Sequence, residues 1–375
     1  MTDSDTLRLL QDAASSFAKF DASRVRSWRN KAPGFDRAVW REMADQGWLG
    51  ILVAEDAGGL ALGLDAAATV ARTLGRAVAP EPFVAGGVAV PLLLSRCDDG
   101  VARRAALPAV TAGETVAAVA WQNSSGSLDV EDVAANVVVD ATGTKLSGEA
   151  RFVPIPHADA FVVAAHSREG LQLVWLPSGA EGTAIQVEDQ ADGGASGWLT
   201  FADVRIASDQ VLASGDNAHA ILSETADAAT LANCAECLGM MDRALELTLD
   251  YLKTREQFGQ PIGSFQVLQH RAVDLWMQKE VADHATQAAL RKVAAPDITV
   301  QARQLAASSA KARVGDVALH MANEAVQLHG AIGFTDEYDL GLYVNRTLAR
   351  VPYLGNASEH RQRYGTLKHK AGASS

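Results

Sequence analysis

Three stretches, residues 228–253, 266–294 and 299–328, repeat apolar side chains at helical spacing almost without interruption, and each is followed by glycine or proline before the next pattern begins. Helices of this length are about twice the usual globular mean of 11–12 residues. Joined by short connections, they predict an antiparallel bundle. The residues before them read differently. From about 5 to 110 the chain is helical in pattern: Asp36, Val39, Trp40, Met43 and Trp48 fit an amphipathic helix with a polar start. A second pattern runs from Leu64 to Leu74 and stops at Gly75, and alanine- and leucine-rich segments broken by Pro80, Pro82 and Pro91 follow. Near Gly113 the composition changes. Short β-rich runs at 116–121, 137–139, 160–165 and 171–176 alternate with turn residues such as Asn123-Ser-Ser-Gly126, Asp140-Ala-Thr-Gly143 and Asp192-Gly-Gly194, which predicts a compact antiparallel β unit. The fold class is therefore α+β, with an N-terminal helical domain over 1–112, a middle β-domain over 113–214 and a C-terminal helical bundle over 215–370. The last five residues, Ala-Gly-Ala-Ser-Ser, form a short low-complexity tail.

Bulk properties remove several function classes. A net charge of −12 disfavours non-specific nucleic-acid binding, leaving only a local basic patch for a phosphate-bearing ligand. Val88 to Leu94 is the nearest approach to a membrane span and is far too short. The start, Met-Thr-Asp-Ser-Asp, is acidic with no apolar stretch, so no export signal is expected. Three cysteines cannot make a disulfide framework and predict a reducing, cytoplasmic setting. Cys234-Ala-Glu-Cys237 is spelled like a redox or metal motif, but it lies on a helical pattern without a second ligand pair, so small buried hydrophobes are the expected role. No G-x-G-x-x-G follows a strand and no Walker loop is present, which removes Rossmann and P-loop readings.

Two glycine-punctuated blocks carry the chemistry. The first is Arg255-Glu-Gln-Phe-Gly-Gln-Pro-Ile-Gly-Ser-Phe-Gln-Val-Leu-Gln-His270, which leaves one long helix, turns and starts the next; the second is Gln327-Leu-His-Gly-Ala-Ile-Gly-Phe334. In order and in placement after helices they resemble the flavin-binding signatures of the acyl-CoA dehydrogenase family. The resemblance extends to the helical–β–helical order and to Leu146-Ser-Gly-Glu-Ala-Arg-Phe-Val153 followed by Ala158-Asp-Ala-Phe-Val-Val-Ala164. It implies FAD as cofactor, held across a subunit interface. Arg255 would reach the pyrophosphate of a neighbouring subunit's FAD, for which a guanidinium is suited as a permanent, forked donor. Phe258 would pack on the cofactor, Gly259 and Gly263 would permit the turn, and Gln266 and Gln269 would lie near the adenine or the interface. Gln327, Gly330 and Gly333 would let backbone approach the pyrophosphate, and Thr335 would hydrogen-bond the cofactor. Taken singly, each has a plainer role: an arginine at a helix C-terminus suits the macrodipole, and glycines there are common caps.

The same resemblance exposes departures. The family's Thr-Glu-Pro-x-Ala-Gly-Ser-Asp segment, whose threonine contacts the isoalloxazine, is matched here by Ala118-Val-Ala-Trp-Gln-Asn-Ser-Ser-Gly-Ser127, and its Trp/Phe-Ile-Thr-Asn segment by Phe152-Val-Pro-Ile-Pro156. Trp121 and Phe152 remain as aromatics near those positions. The family reaction removes a proton from Cα of an acyl-CoA thioester with a glutamate, while hydride passes to the flavin. In most members the glutamate sits in a Tyr-Glu-Gly-Thr run, matched here by Val351-Pro-Tyr-Leu-Gly-Asn356 with Leu354 in its place. In the isovaleryl and long-chain branches it lies early in the helix that ends at the arginine, a position that falls on Ala229. Neither leucine nor alanine has proton chemistry. Asp227, Glu236 and Asp339 are the nearest carboxylate candidates by sequence, each with a structural alternative as an ion pair or cap. Two functions stay open: FAD-dependent α,β-dehydrogenation of an acyl-CoA to the trans-2-enoyl-CoA, or a non-catalytic partner subunit in a heterotetramer whose other subunit type supplies the base. A different flavin reaction on the same fold, such as nitroalkane oxidation, is a third. The expected assembly is a dimer or tetramer of like subunits or a heterotetramer with a related one, with an electron-transferring flavoprotein as acceptor.

Overall fold

The computed structural model describes residues 3–141 and 143–372; Thr142 of the expected 140–143 turn and residues 373–375 of the low-complexity tail lie outside the described residues. Six helices come first: α1 (Asp3–Phe17), α2 (Ala22–Trp28), α3 (Arg37–Asp45), α4 (Leu64–Arg76), α5 (Val90–Arg96) and α6 (Val101–Thr111). Eight strands follow: β1 (Ala117–Ala120), β2 (Asn136–Asp140), β3 (Gly143–Val153), β4 (Ala160–Ser167), β5 (Gly170–Pro177), β6 (Thr183–Asp189), β7 (Ala195–Ile206) and β8 (Val211–Ser214). The chain closes with α7 (Gly215–Thr254), a small hairpin of β9 (Glu256–Gln257) and β10 (Gln260–Pro261), then α8 (Gln266–Val293), α9 (Val300–His329), α10 (Leu340–Arg350) and α11 (Ala357–Gly372). The mixed helix-and-sheet class and the three long helical patterns agree with expectation. The longest helix begins earlier than its pattern suggests, at Gly215.

One compact unit comprises Trp28–Ala67 and Pro80–Ala229. Its sheet runs in the order β6-β7-β3-β2-β4-β5-β8, with β1 on β4. Most pairs are antiparallel, as the turn spacing predicts, but β1 pairs with β4 in parallel, Ala117 opposite Ala160. The reason lies in burial. Residues 160–165 are buried on both faces, the continuous apolar run that a central strand needs and that β1, itself Ala-Ala-Val-Ala, can flank closely. Here too Asp36 caps α3 by accepting from the Ala38 N–H at 2.8 Å, and Trp40 and Met43 face the core.

The other unit draws on three separate stretches: the N-terminal residues to Ser27, Ala68–Ala79, and everything from Thr230 onward. Alanine explains the packing around α9, whose Ala306, Ala307, Ala310, Ala318, Ala322 and Ala325 are all buried and let neighbouring helices approach. The C-terminal turns of α4 cross α7 at two glycines. A Cβ on Gly75 would strike the Glu236 carbonyl, and one on Gly239 would strike the Arg72 carbonyl. Gly75 thus lies one residue before the end of α4 at Arg76, as its position after Leu74 suggests, and is also the contact point of a crossing. Arg72 joins the crossing electrostatically, at 2.8 Å from both Asp242 and Asp283, while Lys279 reaches Asp242 at 3.0 Å. Cys234 and Cys237 are free and buried, and desolvation pushes their thiols up to about 12 and about 11, so they are the inert hydrophobes expected. Among the described residues no helix is long and apolar enough to cross a membrane, and no cluster of side chains could hold a metal ion.

Candidate cofactor and active site

The end of α7 leads into a two-stranded hairpin in which Gln260 pairs with Gln257. Its central residues Phe258 and Gly259 both take left-handed backbone angles, with φ of 55° and 78°. That is the geometry of the tight turn that matches strand twist, and it usually excludes a side chain as large as phenylalanine at the first position. The Phe258 ring is 92% exposed and meets only the edge of Phe265, with centroids 6.2 Å apart. Arg255 is exposed, and among the described residues its guanidinium has no partner; its backbone is held by Tyr251 and Ile262. A Cβ on Gly263 would press on the Leu252 carbonyl, which is why the return into α8 needs glycine. Gln266 opens α8 exposed, and Gln269 donates to the Gly263 carbonyl at 2.9 Å, so it braces the turn.

The second block lies at the C-terminus of α9. Gln327 is exposed on the last turn, Gly330 caps the helix with φ 66° and an N–H to the Val326 carbonyl, and Gly333 is buried against Val326 and His329. Nothing stands within 4 Å of where a Gly330 side chain would project, so its backbone is open to approach. Thr335 donates to the Ile332 carbonyl at 3.0 Å, which commits its hydroxyl proton locally.

The structure brings the two blocks together through side chains that motif spelling does not single out. Tyr251, one turn before Arg255, stacks on His329 with centroids 4.5 Å apart. His329 Nδ1 lies 2.7 Å from the Ala325 carbonyl, which can only accept, so Nδ1 carries the proton and Nε2 accepts from the Tyr338 hydroxyl at 3.3 Å. Burial pushes His329 below the ordinary histidine value and keeps it neutral in this role. The histidine inside the second block is a signal for this contact; the partnership with Tyr251 is invisible in sequence, because it joins residues on different helices.

No candidate carboxylate stands unengaged. Asp227 is 1% exposed and has interaction partners. Glu236 is 7% exposed and its Oε1 takes Arg346 and Arg350, each at 3.1 Å. Asp339 precedes α10 at the surface and pairs with Arg26 at 3.1 Å. The two positions where the base is expected are apolar in fact as well as in spelling: Ala229 and Leu354 are 2% and 5% exposed.

The loop carrying Leu354 is tightly built. The Arg350 carbonyl at the end of α10 accepts from Asn233 Nδ2 at 3.0 Å, from the buried Lys311 Nζ at 3.3 Å and from the Tyr353 N–H at 3.3 Å. Desolvation pushes the Lys311 ammonium down from the usual lysine range. Leu354 takes φ 57° and Gly355 φ 93°, and His360 donates from Nε2 to the Leu354 carbonyl at 2.8 Å. Burial pushes His360 down to about 3, so it is neutral when folded and must gain a proton when it unfolds below the ordinary value of about 6.5. The unfolded state then binds the extra proton, and stability is full above about pH 6.5 and is lost as pH falls toward 3, at up to about 1.4 kcal/mol per pH unit. Urea titrations at several pH values should show this slope, and His360→Gln, which keeps an N–H donor, should remove one proton's worth of it.

In the β unit the first segment matched to flavin contacts carries Ser124, Ser125 and Ser127 but no threonine, and the second carries no hydroxyl at all. Ser125 donates to Asn123 Oδ1 at 2.7 Å, Trp121 is buried, and Pro154 stands in the second segment. Phe152 is 39% exposed with φ 55°, and the Arg151 guanidinium lies over it at 5.5 Å and over Trp198 at 4.4 Å.

Similarity to known proteins runs the length of the chain. Residues 4–114 match the acyl-CoA dehydrogenase N-terminal domain, and residues 220–363 match the acyl-CoA dehydrogenase C-terminal domain. The acyl-CoA dehydrogenase IpdE2 of Mycobacterium tuberculosis is 29% identical over 353 residues, 92% of either chain. Among solved structures, a chain from a variant of the Tcur3481-Tcur3483 steroid ACAD is 31% identical, with full coverage of both chains and a TM-score of 0.87. The ChsE4-ChsE5 complex of Mycobacterium tuberculosis shares the fold at 23% identity, with 97% of this chain and 96% of that chain covered and a TM-score of 0.84. With both family domains matched and the fold shared end to end, the chain belongs to the acyl-CoA dehydrogenase family, whose members are FAD-dependent oxidoreductases.

Proposed function

We propose that this chain takes part in FAD-dependent dehydrogenation of an acyl-CoA thioester as a partner subunit: it completes an FAD site on a related subunit and leaves proton abstraction to that subunit. The observation that carries this reading is Leu354, buried in a rigid loop where the base is expected, with Asp227, Glu236 and Asp339 all engaged elsewhere. The residues toward the cofactor fit the role. An unpaired exposed guanidinium, an exposed aromatic beside it and an open glycine backbone suit a ligand that carries a pyrophosphate and flat rings. Arg255 would bind the pyrophosphate, Phe258 would pack on the cofactor with Gln266 and Gln269 beside it, and Gln327, Gly330, Gly333 and Thr335 would line the same ligand. Bound FAD supplies hydride acceptance. The absence of a threonine from both matched β segments argues that the flavin ring is held chiefly by the other subunit. Similarity to a chain of the Tcur3481-Tcur3483 steroid ACAD, which is named for two components, supports a related partner and a bulky, polycyclic CoA thioester. An electron-transferring flavoprotein would take the electrons, and a cytoplasmic setting suits the buried free thiols.

The test is to purify the chain alone and with a related subunit that carries the glutamate, then record visible spectra during anaerobic addition of acyl-CoA thioesters. Flavin that bleaches only in the two-component assembly supports the reading; flavin that bleaches on this chain alone overturns it. Within the assembly, Arg255→Ala is expected to weaken FAD retention by about 10- to 100-fold, the worth of ~1.5–3 kcal/mol for charged hydrogen bonds. Because Arg255 is exposed, the melting temperature of the apo chain should not move.

A further inference from the structure

The two glycine-punctuated blocks start at the ends of α7 and α9, where helices fray unless something holds them. One cluster of rings holds both. The Tyr251 carbonyl accepts from the Arg255 N–H at 2.8 Å, so the backbone that carries this guanidinium hangs on Tyr251. On the other side, His329 is the last residue of α9 and precedes Gly330, and a Cβ on Gly333 would come within 3.1 Å of the His329 Cβ. The Tyr251 and His329 rings stack 26° from parallel. Tyr338 closes the cluster, its ring centroid 5.1 Å from His329 and 6.4 Å from Tyr251. The segment that carries Tyr338 is itself tied down: Arg26 donates to the Asp336 carbonyl at 2.7 Å and to the Asp339 carboxylate at 3.1 Å.

Histidine is a costly way to fill this space. It is 3% exposed, and a buried polar ring is tolerated only when hydrogen-bonded. Leucine would fill the site without that cost, but it has no plane to fix. With Nδ1–H on the Ala325 carbonyl and Nε2 accepting from Tyr338, the imidazole has one orientation, which turns its face to Tyr251.

We propose that His329 is a positioning residue for the cofactor: with Tyr251 and Tyr338 it locks the end of α7 to the end of α9, and so fixes the distance between Arg255 and Gly330 before FAD binds. This role rests on reading both blocks as FAD contacts. A pyrophosphate gripped by a guanidinium and by open glycine backbone needs the two at one separation. A separation set in advance removes an ordering cost from binding. The gain has a ceiling, because a loosened clamp weakens FAD binding by no more than the clamp itself contributes. An aromatic pair contributes about 2- to 10-fold, and the Tyr338 hydrogen bond about the same.

The test is fluorescence titration of FAD into the FAD-depleted assembly that contains this chain. Tyr251→Leu is expected to weaken FAD about 2- to 10-fold, and Tyr251→Phe, which keeps the ring, to restore it. Tyr338→Phe should weaken it by a similar factor. That variant removes one oxygen from a half-buried side chain and keeps the fold, so it carries the test even if His329→Leu does not fold. His329→Leu should weaken FAD by about 10-fold, the ceiling for the pair. Combined with Arg255→Ala it should add little to Arg255→Ala alone, because a separation stops mattering once one of its ends is gone. Unchanged FAD affinity in the Tyr251→Leu and Tyr338→Phe variants, with Arg255→Ala still weakened, overturns the positioning role and leaves the flavin reading standing. Additive losses for His329→Leu and Arg255→Ala overturn it too, since they mark a merely structural histidine. If Arg255→Ala binds FAD as the parent does, the flavin reading of the first block fails, and the positioning role falls with it.

Discussion

Replacing Glu236 by alanine is expected to cost about 3–5 kcal/mol of unfolding free energy, since two buried guanidiniums lose the carboxylate between them. Arg346 and Arg350 have side chains only 8% and 14% exposed, and Arg346 also donates to the Ala79 carbonyl at 3.0 Å. Urea denaturation should show a lower midpoint at unchanged slope. The double variant Glu236→Ala/Arg350→Met should recover part of the loss, because one of the two charges goes with its partner. The opposite pattern, an unchanged midpoint for Glu236→Gln with loss of turnover in the two-component assembly, would make Glu236 the missing base. Its contact with Arg346 and Arg350 argues for the structural role, because the carboxylate is held between two buried guanidiniums.

Gly239→Ala should be nearly as damaging through a different cause. The added methyl group would meet the Arg72 carbonyl of α4, a backbone atom that cannot rotate away, so the helices must separate. Overpacking of this kind costs typically about 1–3 kcal/mol, and the loss of the Arg72 contacts to Asp242 and Asp283 adds to it. Gly365 supplies the control. It lies in α11 with nothing within 4 Å of where a Cβ would stand, so Gly365→Ala should stabilise the chain by up to about 1 kcal/mol from helix propensity. Thermal melts of the two variants, run together, separate propensity from packing.

How much of this is legible in the sequence depends on whether a feature is local. Helices α8 and α9 repeat apolar residues at regular spacing, and their observed bounds fall within a residue or two of the pattern. The start of α7 is harder: Gly215, Asp216, Asn217, Ser223 and Thr225 spell turns, yet Ala218, Ile221 and Leu222 are buried and tertiary packing overrides the local preference. Gly75 marks the end of α4 to within a residue, but its role at the crossing is hidden because Glu236, which needs its missing side chain, is far along the chain. The parallel pairing of β1 with β4 is hidden for the same reason. At the candidate site the order of Arg255, Phe258, Gln327, Gly330 and Gly333 is legible, as is the missing carboxylate at Leu354. The engagement of Glu236 by two arginines and the burial of Lys311 against the Arg350 carbonyl leave no local trace.

The unit that packs α7 to α11 is assembled from three stretches, with Ala68–Ala79 joining residues that begin again only at Thr230. During synthesis the ribosome must therefore add roughly 150 residues after the end of α4 before the rest of that unit begins to appear, and at about 5–20 residues per second that is a wait of about 8–30 s. Through that interval α4, with Val70, Ala71 and Leu74 buried in the finished protein, lacks α7, which it meets where Gly75 stands against Glu236 and Arg72 against Gly239. The nascent chain thus carries a timed exposure of apolar helix, a natural client for a ribosome-associated chaperone, and slowing translation within the strand region should raise aggregation before it lowers any property of the protein that does fold.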